Sequence, residues 1–387
     1  MKISLVLLRN PHHDQKDTRE FPLPSRERVR VRGHCGHSAP SPHSSPVKGE
    51  DVKNTDVKKN ETLKFSVSAF FIAAAILTSD PVHSAEKIRA AYPAVAPGLA
   101  PSWVTAEKRI WQKYGLDVET ILVSGGARAV PALISDSVQF LLGSDSGVTT
   151  ALLQGLPVVR VGVTMNTLGS SLLTQPAVQA VQELKGKTLG ISRGRDASYV
   201  RLAKLLRDHG LNPDKDVKFL QIGGGESGRL SALKAGIIHG TMLFPPLDLI
   251  GRNEGLKVLA KFDVATPAGG INTTTAILKQ NRKLVLNFLK GYMDGIHYMI
   301  GHKDESLKVF YRYFQNSNEA TMSYLYDETA RRLEKDLRAS PDSIRFHLDM
   351  AALDDPRAAK LSDKEFWDSS VVEEIRRSGF VDQLYKN

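Results

Sequence analysis

The sequence predicts an α/β protein built from repeated strand–turn–helix units and closed by a run of helices. Three observations carry that expectation. Short β-branched runs alternate with helical-period segments from Ile88 to Phe262. Gly, Ser and Asp cluster in the turns between them. After Gly270 the strand signals give way to long amphipathic stretches.

The elements follow in order. Ile88 to Val95 reads as a strand, Ser102 to Tyr114 as a helix, and Leu116 to Val123 as a strand. Ala127 to Ile134 is helical, Val138 to Leu142 a strand, and Ser146 to Gln154 a helix stopped by Gly155. Pro157 to Val163 is a valine-rich strand. The middle block repeats this logic: strand Thr188 to Ile191, helix Ala197 to His209 stopped by Gly210, and strand Val217 to Ile222. Helix Leu230 to Ala235 and strand Ile237 to Phe244 follow, the latter closed by Pro245-Pro246 because proline cannot continue a ladder. Leu256 to Phe262 is the next strand, and Thr266 to Gly270 reads as a Pro/Gly bend. Beyond it come a strand-like Ile271 to Leu278 and helices over Lys283–Ile300, Glu305–Phe314, Glu319–Asp336 and Phe366–Arg377. The stripe of Leu284, Phe288, Leu289, Tyr292, Met293 and Ile296 reads as core packing.

Charge and cysteine usage exclude several function classes. The chain of 387 residues carries a formal +10, which first suggests nucleic acid. Half of that excess sits in residues 1–64, whose Pro/Ser/His/Arg mixture from Phe21 to Glu50 lacks apolar periodicity, and the segment reads as a solvated, non-native or disordered extension. The remainder is only mildly basic, so no nucleic-acid partner is expected. The single cysteine, Cys35, rules out a disulfide framework. No histidine set shows metal-ligand spacing, so no metal and no cofactor are expected.

Lys58, Lys59 and Lys64 precede an apolar run from Phe65 to Leu77, followed by the small-residue stretch Val82 to Ala85. That order is a secretory signal over 58–85, and the run is shorter than the ~20 residues a membrane span needs. Its position predicts a true start at Val52 or Val57 and a cysteine-free exported chain from Glu86 onward.

Four stretches then carry a family resemblance. They are Lys87 to Pro101 with the helix to "YGLDVE" at 114–119, the block from Gly125 to Val159, the block from Glu183 to Gly223, and "ESGRLSALKAGIIHGTMLFPP" at 226–246. Together they resemble periplasmic substrate-binding proteins of ABC importers, in the nitrate/sulfonate/taurine group that includes thiamine-precursor binders. The resemblance implies a type II periplasmic-binding-protein-like fold: two α/β lobes with a ligand cleft, a two-crossing hinge and C-terminal helices. Lobe 1 would comprise 86–176 and 271–387, and lobe 2 would comprise 177–270. The crossings would fall near Gln175-Pro176 and Pro267 to Gly270. It also implies a monomeric, periplasmic, non-enzymatic protein that delivers a small-molecule ligand to a membrane permease.

Ligands of open α/β sheets collect at the carboxyl ends of strands, where helix N-termini offer N–H groups. The turns there nominate Pro97, Gly98, Ser124, Gly125, Gly126, Ser144, Asp145, Ser146, Asp196, Ser198 and Gly224. Arg193 and Arg195 beside a helix start would suit an oxyanion, which predicts an anionic organic ligand. Asp145 could instead select an amine or hydroxyl. Phe244, Tyr92, Trp103 and Tyr199 are aromatic candidates for a flat ligand face, although Trp103 also fits the core. Two motifs compete with this reading. Gly190 to Gly194 matches G-x-S-x-G, the serine-hydrolase elbow, with Ser192 as nucleophile. Gly223 to Gly228 matches G-x-G-x-x-G, but no acid follows at the ribose position.

Overall fold

The computed structural model describes residues 85–192 and 197–386. The basic front segment, the export signal, Cys35, Arg193, Arg195 and Asp196 lie outside the described residues.

The first half-sheet is built by β1 (Glu86–Tyr92), α1 (Ala100–Glu107), β2 (Leu116–Leu122), α2 (Gly126–Ile134) and β3 (Phe140–Leu142). Helix α3 (Asp145–Leu153) leads into the long β4 (Val158–Thr174). The second half repeats the pattern with β5 (Thr188–Ile191), α4 (Ala197–Asp208), β6 (Lys218–Gln221), α5 (Gly225–Lys234) and β7 (Gly240–Leu243). Helix α6 (Leu247–Asn253) then precedes the second long strand, β8 (Lys257–Thr274). The chain finishes with α7 (Thr275–Gln280), α8 (Arg282–Gly301), α9 (Lys303–Phe314), α10 (Glu319–Ala330) and α11 (Pro341–Ala351). Three short helices close it: α12 (Asp363–Phe366), α13 (Ser370–Arg377) and α14 (Phe380–Leu384).

One eight-stranded sheet has the order β2-β1-β3-β8-β4-β7-β5-β6. Its two ends match: β1 pairs in parallel with β2 and β3, as β5 does with β6 and β7. In the middle β4 and β8 pair antiparallel from Val158↔Thr274 to Thr174↔Lys257. This ribbon corrects the expected bend over Thr266 to Gly270. Met165 faces Ala268 while Thr167 faces Ala265, so Thr266 and Pro267 bulge out opposite Asn166. A bulge is where a strand accepts proline, because no ladder N–H is missed there. Gln175 and Pro176 directly follow the end of β4, and Pro267 to Gly270 lie within β8.

Helix expectations are corrected at several places. The helix expected over Phe366 to Arg377 breaks between α12 and α13, and Thr275 to Leu278, expected as strand, belongs to α7. The expected helix from Ser102 to Tyr114 divides at Arg109, in left-handed backbone (φ 53°), into α1 and a 3-10 segment Ile110–Tyr114. The helix expected to Asp336 ends at Ala330. Beyond it Leu333 bridges Met165, and the Val163 N–H donates to the Leu337 carbonyl at 2.9 Å.

The apolar core forms separate clusters. Trp103, Trp111, Phe140, Phe288 and Tyr292 centre one on α1, α8 and the first half-sheet. There Phe140 stacks on Phe288 at 3.7 Å, and the Trp111 indole N–H donates to the Phe288 carbonyl at 2.9 Å. Leu184, Leu189, Leu202, Leu206 and Met242 make the main cluster of the second half. The α8 stripe is thus core, as its spacing predicts.

Candidate functional site

The strand ends converge on a cavity of about 510 Å³. The turn after β1 supplies Pro97 and Gly98, and the turn after β3 supplies Ser144 and Asp145. Glu226 comes from the first turn of α5, and Phe244 follows β7. Met165, Leu168 and Gly269 of the central ribbon form the floor, while Leu325, Glu328 and Thr329 of α10 and nearby Arg332 close one side. Most of this lining is apolar with a few convergent polar groups, the usual make-up of a small-molecule pocket.

Close backbone packing shapes the floor. The Thr164 hydroxyl lies 2.8 Å from the Gly98 carbonyl and 2.9 Å from that of Ala268, and can donate to either. Gly269 has φ 66°, and a Cβ there would fall on Thr164 Oγ1 and 2.6 Å from the Gly98 oxygen. Left-handed backbone and this crowding both demand glycine.

Behind the turn after β3 lies a buried polar network. Arg160 of β4 is fully buried, and its guanidinium sits 3.0 Å from Asp145 Oδ1. Its Nε donates to Asn272 Oδ1 at 3.2 Å, and its Cζ lies 4.3 Å from the centre of the Phe366 ring. Asn272 in turn donates to the Leu141 and Gly143 carbonyls at 2.9 and 3.1 Å, fixing the turn. Burial pushes the Asp145 carboxyl up, and Arg160 and the Gly270 N–H pull against it. Burial, with Arg160 nearby, lowers His347 to about 3, and its Nε2 lies 2.8 Å from Thr149 Oγ1.

The other carboxylates are also engaged. Glu226 Oε2 accepts from the Phe244 N–H at 3.1 Å, Arg229 stands 3.9 Å away, and burial raises its carboxyl. Arg332 donates to Asp263 at 2.6 Å and to Glu328 at 2.9 Å. Its guanidinium occupies the space that a Cβ on Gly169 would need.

Of the nominated residues, Pro97, Gly98, Ser144, Asp145 and Phe244 come together in this cavity. Ser124 and Gly125 are exposed before α2, and Gly126 starts that helix. Ser146 lines a different cavity of about 1010 Å³, with Thr149, Arg201 and His347. Gly224 is the left-handed residue before α5, and Ser198 Oγ accepts from the Ser192 N–H at 3.0 Å. Trp103 is buried and stacks on Tyr313 at 4.4 Å, Tyr92 packs edge-on against Trp103, and Tyr199 donates to Asp214 at 2.9 Å. Sequence reasoning missed Glu226, Glu328, Arg332 and Arg160. The last had a signal: an arginine inside the valine run from Pro157 to Val163.

Neither competing motif gains support. The Ser192 hydroxyl accepts from Arg229, whereas a nucleophile needs a general base at that position. In the glycine-rich turn Glu226 occupies the helix start where a pyrophosphate would sit, so like charges would meet.

Comparison with known proteins places this geometry. The chain is 24% identical over 230 residues to the riboflavin-binding protein RibY of Chloroflexus aurantiacus, covering 58% of this chain and 65% of RibY. It therefore spans slightly under two thirds of that relative. The periplasmic sulfonate-binding protein SsuA from Methylobacillus flagellatus superposes with a TM-score of 0.59 at 17% identity, covering 79% of this chain and 97% of SsuA. The desulfurization enzyme DSZB superposes with 0.57 at 12% identity, covering 76% of this chain and 99% of DSZB. These likenesses establish the periplasmic-binding-protein fold, which binding proteins and an enzyme share. No helix among the described residues is long and apolar enough to cross a membrane. The NMT1/THI5 like family model matches residues 96–306, more than half of the chain, and the chain belongs to that family.

Proposed function

We propose that this protein is the solute-binding component of an ABC importer, exported through the signal at 58–85 and working as a monomer in the periplasm. It captures a small organic ligand between two lobes, 86–176 with 271–387 and 177–270, and presents it to a membrane permease. The observation that carries this reading is the 510 Å³ cavity at the meeting of two matching half-sheets. Separate core clusters on either side support two bodies that move about the β4–β8 ribbon. RibY, named as a riboflavin-binding protein, adds support for a binding role.

Thermal unfolding of the purified protein with riboflavin, aliphatic sulfonates, nitrate and an aminopyrimidine tests the proposal. A ligand at 100 times its Kd adds about 2.7 kcal/mol. Ser192→Ala should keep that shift and should not alter ester turnover. No shift with any compound, or ester hydrolysis that disappears with Ser192→Ala, would count against it.

A further inference from the structure

Among the described residues, the sign of charge lining the cavity points away from oxyanions. Among the described residues that line it, the charged side chains are Asp145, Glu226, Glu328 and Arg332. Arg332 is already bonded to Asp263 and Glu328. Arg160 lies behind Asp145, fully buried and outside the lining. Arg229 lies behind Glu226 and bonds Ser192 and the Met242 carbonyl. Arg201, outside the lining, is engaged over the Phe244 ring at 4.9 Å and stands near enough to act on Glu226.

The helix starts strengthen the point. A helix N-terminus attracts negative charge, and in this fold it is the expected seat of a ligand oxyanion. Here the protein's own carboxylates hold those seats. Asp145 is the first residue of α3, and Glu226 the second of α5. They enter the same cavity from the two half-sheets. A sulfonate or nitrate placed there would face two carboxylates at positions it would otherwise occupy.

We propose that Asp145 and Glu226 are the specificity-determining pair of the cavity, and that they select a neutral or cationic solute carrying N–H or O–H donors over an oxyanion. Arg160 is the positioning residue for Asp145. Held between Asn272 and the Phe366 ring, its guanidinium stands 3.0 Å from Asp145 Oδ1 and fixes that oxygen. The apolar lining with Phe244 suits a flat ring that bears those donors. This inference rests on the solute-binding reading and narrows it.

Isothermal titration of the full chain with two probe sets tests it: ethanesulfonate and nitrate as oxyanions, riboflavin and 4-amino-2-methylpyrimidine as donors. A donor probe should bind and the oxyanions should not. Asp145→Asn, nearly isosteric, should weaken that binding at least tenfold, and Glu226→Gln should weaken it too. If Asp145→Asn fails to fold, Glu226→Gln carries the same comparison. Oxyanion binding that both variants keep or tighten would overturn the selection and leave the solute-binding reading standing. Donor binding unchanged in both variants would overturn it equally. Binding by neither probe set would overturn both.

Discussion

Gly269→Ala gives the sharpest test of how the cavity floor is built. The new methyl meets two obstacles and one strain. It falls on Thr164 Oγ1, which can move at the loss of a buried hydrogen bond, about 1 kcal/mol. It also stands 2.6 Å from the Gly98 oxygen, a backbone atom that must shift, and such overpacking costs about 1–3 kcal/mol. Left-handed backbone at φ 66° adds about 1 kcal/mol for a residue with a Cβ. The stiffer unfolded chain returns roughly 0.4–1 kcal/mol. The net is a destabilisation of about 3 kcal/mol, or a Tm lower by roughly 4–5 °C for a folded chain of about 300 residues. Gly255→Ala separates the terms: Gly255 has φ 91° but nothing within 4 Å of its Cβ, so about 1 kcal/mol of strain set against the same unfolded-chain return leaves a net loss under about 1 kcal/mol. Urea denaturation with an unchanged m-value measures both. Equal losses in the two variants would refute the claim that contact with Thr164 and Gly98 makes Gly269 necessary.

Two further outcomes follow from the buried network. Arg160→Met leaves Asp145 without its guanidinium partner and should cost about 3–5 kcal/mol in urea denaturation, whereas an exposed arginine such as Arg345 should cost under about 1 kcal/mol. His347 is held near 3 when folded, against 6.5 when free, so the unfolded chain takes up its proton first as pH falls. Its contribution is complete above 6.5 and lost as pH falls toward 3. Between pH 7 and pH 4.5 that amounts to about 2–3 kcal/mol. His347→Gln should remove this part of the pH dependence, and an unchanged slope would refute it.

What the sequence revealed of the fold divides along the line between local and non-local causes. Thr188 to Ile191 and Ala197 to Asp208 announce themselves through β-branched or helical-period residues with glycine stops, and both form nearly as expected. The polar half of β4, from Thr164 to Ser171, has no strand period, because its partner is a strand about a hundred residues away. Pro267 and Gly269 mislead for the same reason, since a bulge hides proline from the ladder. Helix α11 was legible and overlooked: Ser340 caps it and Pro341 opens it, a standard start. At the site, turn composition located Pro97, Gly98, Ser144, Asp145 and Phe244. It could not locate Glu328 or Arg332, which reach the cavity from α10 and the chain just after it, far along the sequence.

The bulge opposite Asn166 has a mechanical consequence. Asn166 accepts from the Ser340 N–H at 2.7 Å and donates to the Arg338 carbonyl at 2.8 Å, while Thr164 accepts from the Glu334 N–H at 2.8 Å. The central ribbon is therefore braced at its midpoint by residues 334–340, as a torsion bar is gripped in a collar. Relative rotation of the two half-sheets would store as twist along the paired strands on either side of that collar, with the rungs intact. Amide protons of Val163 and Ser340 would then exchange at one slow rate with the cavity filled or empty, and the ends of the bar would carry the difference.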